Sequence, residues 1–238
     1  MPGITDRDLG RLMRAIFIAF EDAVRFFPAR KIERLGNPVR QKIVAALEDA
    51  VTPPAAGAKL RILVVGGSQG ARAVSDLMTA AAAVLAGTGV EFSLVHQTGS
   101  ADVERIQARY CELGLAAQVE AKAFIEDMAT AYAEADLVVA RAGALTLAEL
   151  AIAGRPAILI PLPTAADDHQ RKNAAQFASA GAALVLNQGT ARAEDLASAI
   201  AGIAKDTEKR ADMGEAMRAL ARPQAAQAIV DRLEALAR

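Results

Sequence analysis

From Lys59 onward, short aliphatic and β-branched runs alternate with amphipathic stretches. The runs at 61–65, 91–95, 118–123, 137–140, 157–160 and 183–186 read as strands. The stretches at 71–86, 101–113, 127–133, 145–153, 168–180 and 193–205 read as helices. Strands that alternate with helices and are apolar on both faces predict a parallel sheet covered on both sides. The fold class is therefore α/β, a doubly wound Rossmann-like parallel sheet. Ligands are expected beyond the carboxyl ends of its strands.

The first residues show another pattern. "AIFIAF" at 15–20 reads as one strand and 6–13 as a short helix. Prolines and glycines in "FFP", "GNPVR" and "TPPAAGAK" punctuate the stretch from Phe26 to Lys59. A single strand cannot build a sheet alone. Residues 1–36 thus read as the tail of another domain or an addition to the main sheet. Residues 37–59 read as a linker and helix, 60–222 as the main domain, and 223–238 as a C-terminal helix.

Composition narrows the function. The net charge is -1, so no long-range field draws in nucleic acid. Tryptophan is absent and aromatics are 4% of residues, which leaves no stacking platform for single strands. A single cysteine, Cys111, excludes an intrachain disulfide and a multi-cysteine zinc site, and fits a reducing compartment. The sequence predicts neither a secretory signal nor a transmembrane helix.

The strand ends carry the candidate chemistry. In "GGSQGAR", a strand meets glycines and a helix opens behind them. Backbone N–H groups there, with the Ser68 hydroxyl, suit an anion. No Gly-Lys-Ser/Thr comes next, so a P-loop is excluded, and the G-G-x-x-G spacing fits a dinucleotide fingerprint poorly. A tight strand-to-helix turn with nothing bound explains the glycines equally well.

In "LVVARAGALTLAEL", a second helix starts near Leu145, with its N-terminus at the same sheet edge. A carboxylate at Glu149 can accept two hydrogen bonds from a ribose diol. Thr146-x-x-Glu149 is also the spacing of a capping box. In "PTAADDHQRKNAAQ", Asp167, Asp168, His169, Gln170 and Asn173 crowd a third strand-to-helix loop. Adjacent residues rarely converge on one ion, so no metal is expected. The choices are an Asp N-cap and a set of hydrogen-bonders for sugar hydroxyls led by Gln170.

Two anion sites and one hydroxyl-binding loop at one edge describe a nucleotide-sugar. "GNPVR", "GGSQGAR", "HQTG", the run from "FIEDM" through "ARAGALTLAELAIAGRPAILIP" to "RKNA", and "ARPQAAQAIV" closely resemble, in order, the C-terminal half of the MurG family. That family moves N-acetylglucosamine from UDP-N-acetylglucosamine to lipid I, forming the lipid II of peptidoglycan and cell-wall synthesis. The resemblance implies the donor domain of a GT-B glycosyltransferase, an inverting hexosyltransferase with no cofactor. It implies diphosphate contacts from Ser68 and Arg40, and a uracil held by the backbone of Ile125. Helix N-terminal groups of Ala144, Leu145 and Thr146 would face the phosphates. Glu149 would bind the ribose and Gln170 the N-acetylglucosamine hydroxyls. His169 departs from the family, some members of which carry glutamine there.

The resemblance also implies that catalytic groups, the lipid I site and the membrane-binding patch belong to an N-terminal half absent from this sequence. Localisation is then cytoplasmic, with the full-length family peripheral on the inner face of the cell membrane. An alternative is a non-catalytic UDP-sugar-binding subunit that needs a separate acceptor-domain partner. A UDP-sugar epimerase, which shares the fold, is a third reading, and "ARAGALTLAEL" favours the transferase.

Overall fold

The computed structural model describes residues 9–10, 12–48, 59–67, 71–163 and 168–237. Strands β3 (Leu60–Val65), β4 (Phe92–Gln97), β5 (Val119–Lys122), β6 (Leu137–Ala140), β7 (Ala157–Leu159) and β8 (Ala183–Val185) form one sheet in the order β5-β4-β3-β6-β7-β8. Every pairing is parallel, as the alternation of strands with helices predicts. Winding reverses between β3 and β6, and such a switch point opens a crevice at the strand ends. Val65 pairs with Ala140 and Ala140 with Leu159, so neighbouring strands end level. The expected strand at 91–95 shifts slightly: β4 begins at Phe92, leaving Glu91 outside it.

Helices cover both faces. Helices α2 (Arg72–Ala86), α3 (Val103–Glu112) and α7 (Ala193–Lys205) pack on Ile62, Val64, Leu137, Val139 and Ile158. Helices α1 (Gln41–Glu48), α4 (Met128–Glu134), α5 (Ala144–Ala153) and α6 (His169–Ser179) pack on Leu63, Val65, Val138, Ala140 and Leu159. Alternate residues of a strand thus feed opposite cores. On α2 the buried face runs through Val74, Met78, Ala81, Ala82 and Leu85, the spacing of an apolar helical stripe. Helix α5 ends at Gly154, whose φ of 60° is the left-handed C-cap that glycine adopts without strain.

The strand at 15–20 has a partner that the sequence reading missed. Strand β1 (Ile16–Ile18) pairs in parallel with β2 (Ile32–Arg34). The helix expected at 6–13 lies largely outside the described residues, of which Leu9 and Gly10 are helical. Helix α8 (Thr207–Ala219) returns to the main domain, and α9 (Ala225–Ala237) reaches the small sheet. There Arg232 Nε meets both Glu33 carboxylate oxygens at 2.7 and 2.8 Å. Phe20 meets Phe177 of α6 edge to face, with ring centroids 6.2 Å apart. No helix among the described residues is long and apolar enough to cross a membrane.

Candidate functional site

The first anion loop leaves β3 at Gly66. Gly67 has a φ of 83°, a conformation that a side chain would strain, and a Cβ there would meet nothing within 4 Å. The Gln97 amide donates to the Gly67 carbonyl at 3.4 Å, tying the turn to the end of β4. Ser68 lies outside the described residues. The described part of the turn requires glycine for its backbone and leaves open space above it.

In the second loop Glu149 does not form a capping box with Thr146. Helix α5 begins at Ala144, after Gly143 with φ -68° and ψ 143°. Gly143 has no side chain with which to cap. The first intrahelical bond runs from the Leu147 N–H to the Gly143 carbonyl. The N–H groups of Ala144, Leu145 and Thr146 therefore point out of the helix without an intrahelical acceptor. Leu145 is 50% exposed there. Glu149 sits deeper, 7% exposed, too far along the helix for a capping box. The Tyr132 hydroxyl of α4 donates to its Oε2 at 3.1 Å. Oε1 bonds to no described residue.

Burial pushes the Glu149 carboxyl above its ordinary range, while the Tyr132 hydrogen bond and the Arg40 guanidinium pull it back. Burial drives the Tyr132 phenol well up, and the neighbouring carboxylate adds to this. Arg40 precedes α1 and is exposed, with its charge felt at Glu149. Tyr132 was not a sequence candidate. Its only signal is a hydroxyl on an otherwise apolar face of the adjacent helix.

Ile125 lies in the loop before α4, 7% exposed. Neither its N–H nor its carbonyl bonds to another described residue, which leaves a donor and an acceptor side by side. Its side chain joins the same core as Ala142 and Leu147, so this loop and the start of α5 are fixed together. A groove of about 560 Å³ runs along the open face of β4 and β5 beside α4, and reaches the strand ends at Phe124 and Ile125.

The third loop carries Gln170 in the first turn of α6. Its Oε1 accepts from the Leu162 N–H at 3.0 Å, leaving its amide NH₂ to donate elsewhere. The Asn173 amide donates to the Ala142 carbonyl at 3.3 Å, binding α6 to the β6–α5 turn. Asp168 occupies the N-cap position but makes no side-chain cap bond. Its φ is 58°, and its carboxylate pairs with Arg171. The Asp cap is thus correct in place and not in bonding. Thr164 and Asp167 lie outside the described residues. No cluster of His, Cys, Asp and Glu that could hold a metal ion occurs among the described residues.

The edge therefore brings together an uncapped helix N-terminus, a buried carboxylate, a backbone pair with no described partner and an amide-bearing loop. The glycosyltransferase family 28 C-terminal domain matches residues 61–229. The chain belongs to that family. A relative from Nitratidesulfovibrio vulgaris is 44% identical over 99% of this chain and 65% of its own length. One from Myxococcus xanthus is 41% identical over 97% of this chain and 59% of its own. Both are named UDP-N-acetylglucosamine--N-acetylmuramyl-(pentapeptide) pyrophosphoryl-undecaprenol N-acetylglucosamine transferase. The chain thus spans about three fifths of the length of the curated relatives it matches.

Among solved structures, Acinetobacter baumannii MurG superimposes on this family 28 domain with a TM-score of 0.79 and 36% identity, over 98% of this chain and 64% of that one. A UDP-N-acetylglucosamine 2-epimerase aligns with a TM-score of 0.67 at 16% identity, over 94% of this chain and 58% of that one, which shows a shared fold only.

Proposed function

We propose that this chain is the donor-binding part of an inverting transferase that moves N-acetylglucosamine from UDP-N-acetylglucosamine to lipid I, forming lipid II. The observation that carries the reading is Glu149. It is a buried carboxylate with one oxygen held by Tyr132 and the other unbonded among described residues, one turn inside an uncapped helix. A ribose diol supplies two donors to such a carboxylate, and a diphosphate suits the free N–H groups of α5.

Uracil then pairs with the backbone of Ile125. Ser68 and Arg40 join Ala144, Leu145 and Thr146 on the diphosphate. Gln170, its oxygen already engaged, donates to a sugar hydroxyl through its amide. In the reaction, an acceptor hydroxyl oxygen bonds to C1 of the sugar from the face opposite UDP. The bond from C1 to the β-phosphate oxygen breaks, and its electron pair leaves on UDP. The hydroxyl proton passes to a base outside this chain. Helix dipoles and Arg40 meet the charge developing on UDP, a role that preorganised donors fill well. No step calls on a cofactor or a metal.

Residues 1–36 are assigned to an acceptor domain, and the helix at 223–238 to its contact with the donor domain at 60–222. A two-stranded parallel sheet is below the size that is stable on its own. Leu9, Leu12, Met13 and Val24 are exposed around it. The same surface supports the second reading, in which the chain is a binding subunit and the acceptor domain is a separate partner. Membrane association, on the inner face of the cell membrane, belongs to that acceptor part.

The test is transfer of labelled N-acetylglucosamine to a lipid I analogue. We expect none from this chain alone, and transfer when an acceptor domain is supplied. Turnover by this chain alone contradicts the division of labour.

A further inference from the structure

Arg141 is the first residue after β6. Val138, Ala140 and Ala142 lie in the core beneath α4 and α5, and Leu137 and Val139 in the core beneath α2 and α7. Alternation sends the Arg141 side chain to the α2 side of the sheet edge. Its Nη1 donates to the carbonyl of Ile160, the first residue past β7, at 2.9 Å. A guanidinium has five N–H donors, and this neutral carbonyl is its one hydrogen-bond partner among the described residues. No described carboxylate pairs with it. Half-buried, its charge is penalised by lost solvent, which moves its pKa downward. The uncapped N-terminus of α5, itself a positive pole, begins shortly after it. The fold thus holds a cation at the carboxyl ends of β6 and β7 with no described anion to balance it.

We propose that Arg141 binds the diphosphate of the nucleotide-sugar from the α2 side, opposite the free N–H groups of α5. This rests on the donor reading above. The planar fork suits two phosphate oxygens at once. A bound anion would replace the solvent that burial removes, and the Ile160 bond holds the fork in place beforehand.

The test is calorimetric titration of this chain and its Arg141→Met variant with UDP and with uridine. Methionine keeps the unbranched stem and discards the charge. We expect UDP to bind the variant at least tenfold more weakly, and uridine, which lacks phosphate, to bind both proteins alike. UDP affinity within twofold of the parent overturns the proposal. So does an equal loss for uridine, which would mean a general disturbance of the site. A measurement on the unaltered chain covers a misfolded variant. The Arg141 Nε–H resonance, assigned by its absence in Arg141→Lys, should shift with UDP and stay still with uridine. A resonance indifferent to UDP while UDP binds overturns the proposal and leaves the donor reading intact. Failure of the unaltered chain to bind UDP overturns both.

Discussion

The Tyr132 hydroxyl donates to Oε2 of Glu149 across the packing of α4 on α5, and both side chains are buried. One oxygen of the carboxylate is thereby fixed, and the other bonds to no described residue. In the proposed donor site this carboxylate is the ribose ligand, since nothing in the helix needs it as a cap.

Glu149→Gln keeps the length and an acceptor for Tyr132 but loses the charge. Charge-assisted bonds are roughly twice as strong as neutral ones. UDP affinity should fall by ~1–3 kcal/mol, roughly 5- to 150-fold, while the melting temperature without ligand barely moves. Calorimetry and thermal unfolding of the variant read the two effects separately. Unchanged affinity would remove Glu149 from the ribose site.

Burial raises the Glu149 carboxyl, so it takes up a proton above the usual carboxylate range. A protonated acid no longer accepts two diol bonds. UDP-N-acetylglucosamine should therefore bind more weakly as pH falls from neutral through that raised pKa. Its phosphates carry no proton in this range. Tyr132→Phe removes a bond that favours the carboxylate, so the same loss should begin at a higher pH. Dissociation constants across a pH series for both proteins test this, and superimposable profiles would contradict it.

The parallel sheet was legible because strands alternate with helices along the chain and the central β3 and β6 are apolar on both faces. Glu149 was only half legible. Thr146-x-x-Glu149 has the capping-box spacing, and spacing does not reveal where a helix begins. The start is fixed by the extended Gly143 and places Glu149 beyond the reach of the N-terminus. Strand β2 was invisible because Ile32–Arg34 is short, and Glu33 faces an arginine 199 residues away. The Arg141–Ile160 and Asn173–Ala142 bonds join separate loops, and only the folded chain brings them together.

His96 is buried between α2 and α3, bonded through Nδ1 to the Tyr110 hydroxyl at 2.9 Å and through Nε2 to the Ser75 hydroxyl at 3.2 Å. Burial lowers its pKa from 6.5 to about 4. The unfolded chain then binds a proton that the folded chain refuses between these values. Stability should be full above pH 6.5 and decline toward pH 4. The loss is about 3 kcal/mol at most. Urea unfolding across this range checks it, and His96→Gln, which cannot titrate, should flatten this contribution.

Asp136 sits at the amino end of β6, its side chain 1% exposed, and takes Arg61 Nη2 at 2.6 Å and the Arg61 backbone N–H at 2.9 Å. Asp136→Ala leaves a guanidinium and an N–H without their acceptor. Breaking such a pair typically costs about 3–5 kcal/mol, and less where one partner, like Arg61, is partly solvated. The pair lies at the opposite end of the sheet from the ligand edge. Stability should fall with UDP affinity unchanged, as seen by denaturant unfolding beside calorimetry at a temperature where the variant is folded.

Every role assigned at the strand ends requires that this edge bind a uridine diphosphate sugar. Thermal unfolding with UDP-N-acetylglucosamine, UDP, ADP and NAD, each at equal concentration, is the sharpest check. A ligand at 100 times its dissociation constant stabilises the fold by ~2.7 kcal/mol. UDP-N-acetylglucosamine and UDP should raise the melting temperature, with ADP and NAD leaving it near that of the free chain. A larger shift with NAD than with UDP would rule the uridine diphosphate sugar out.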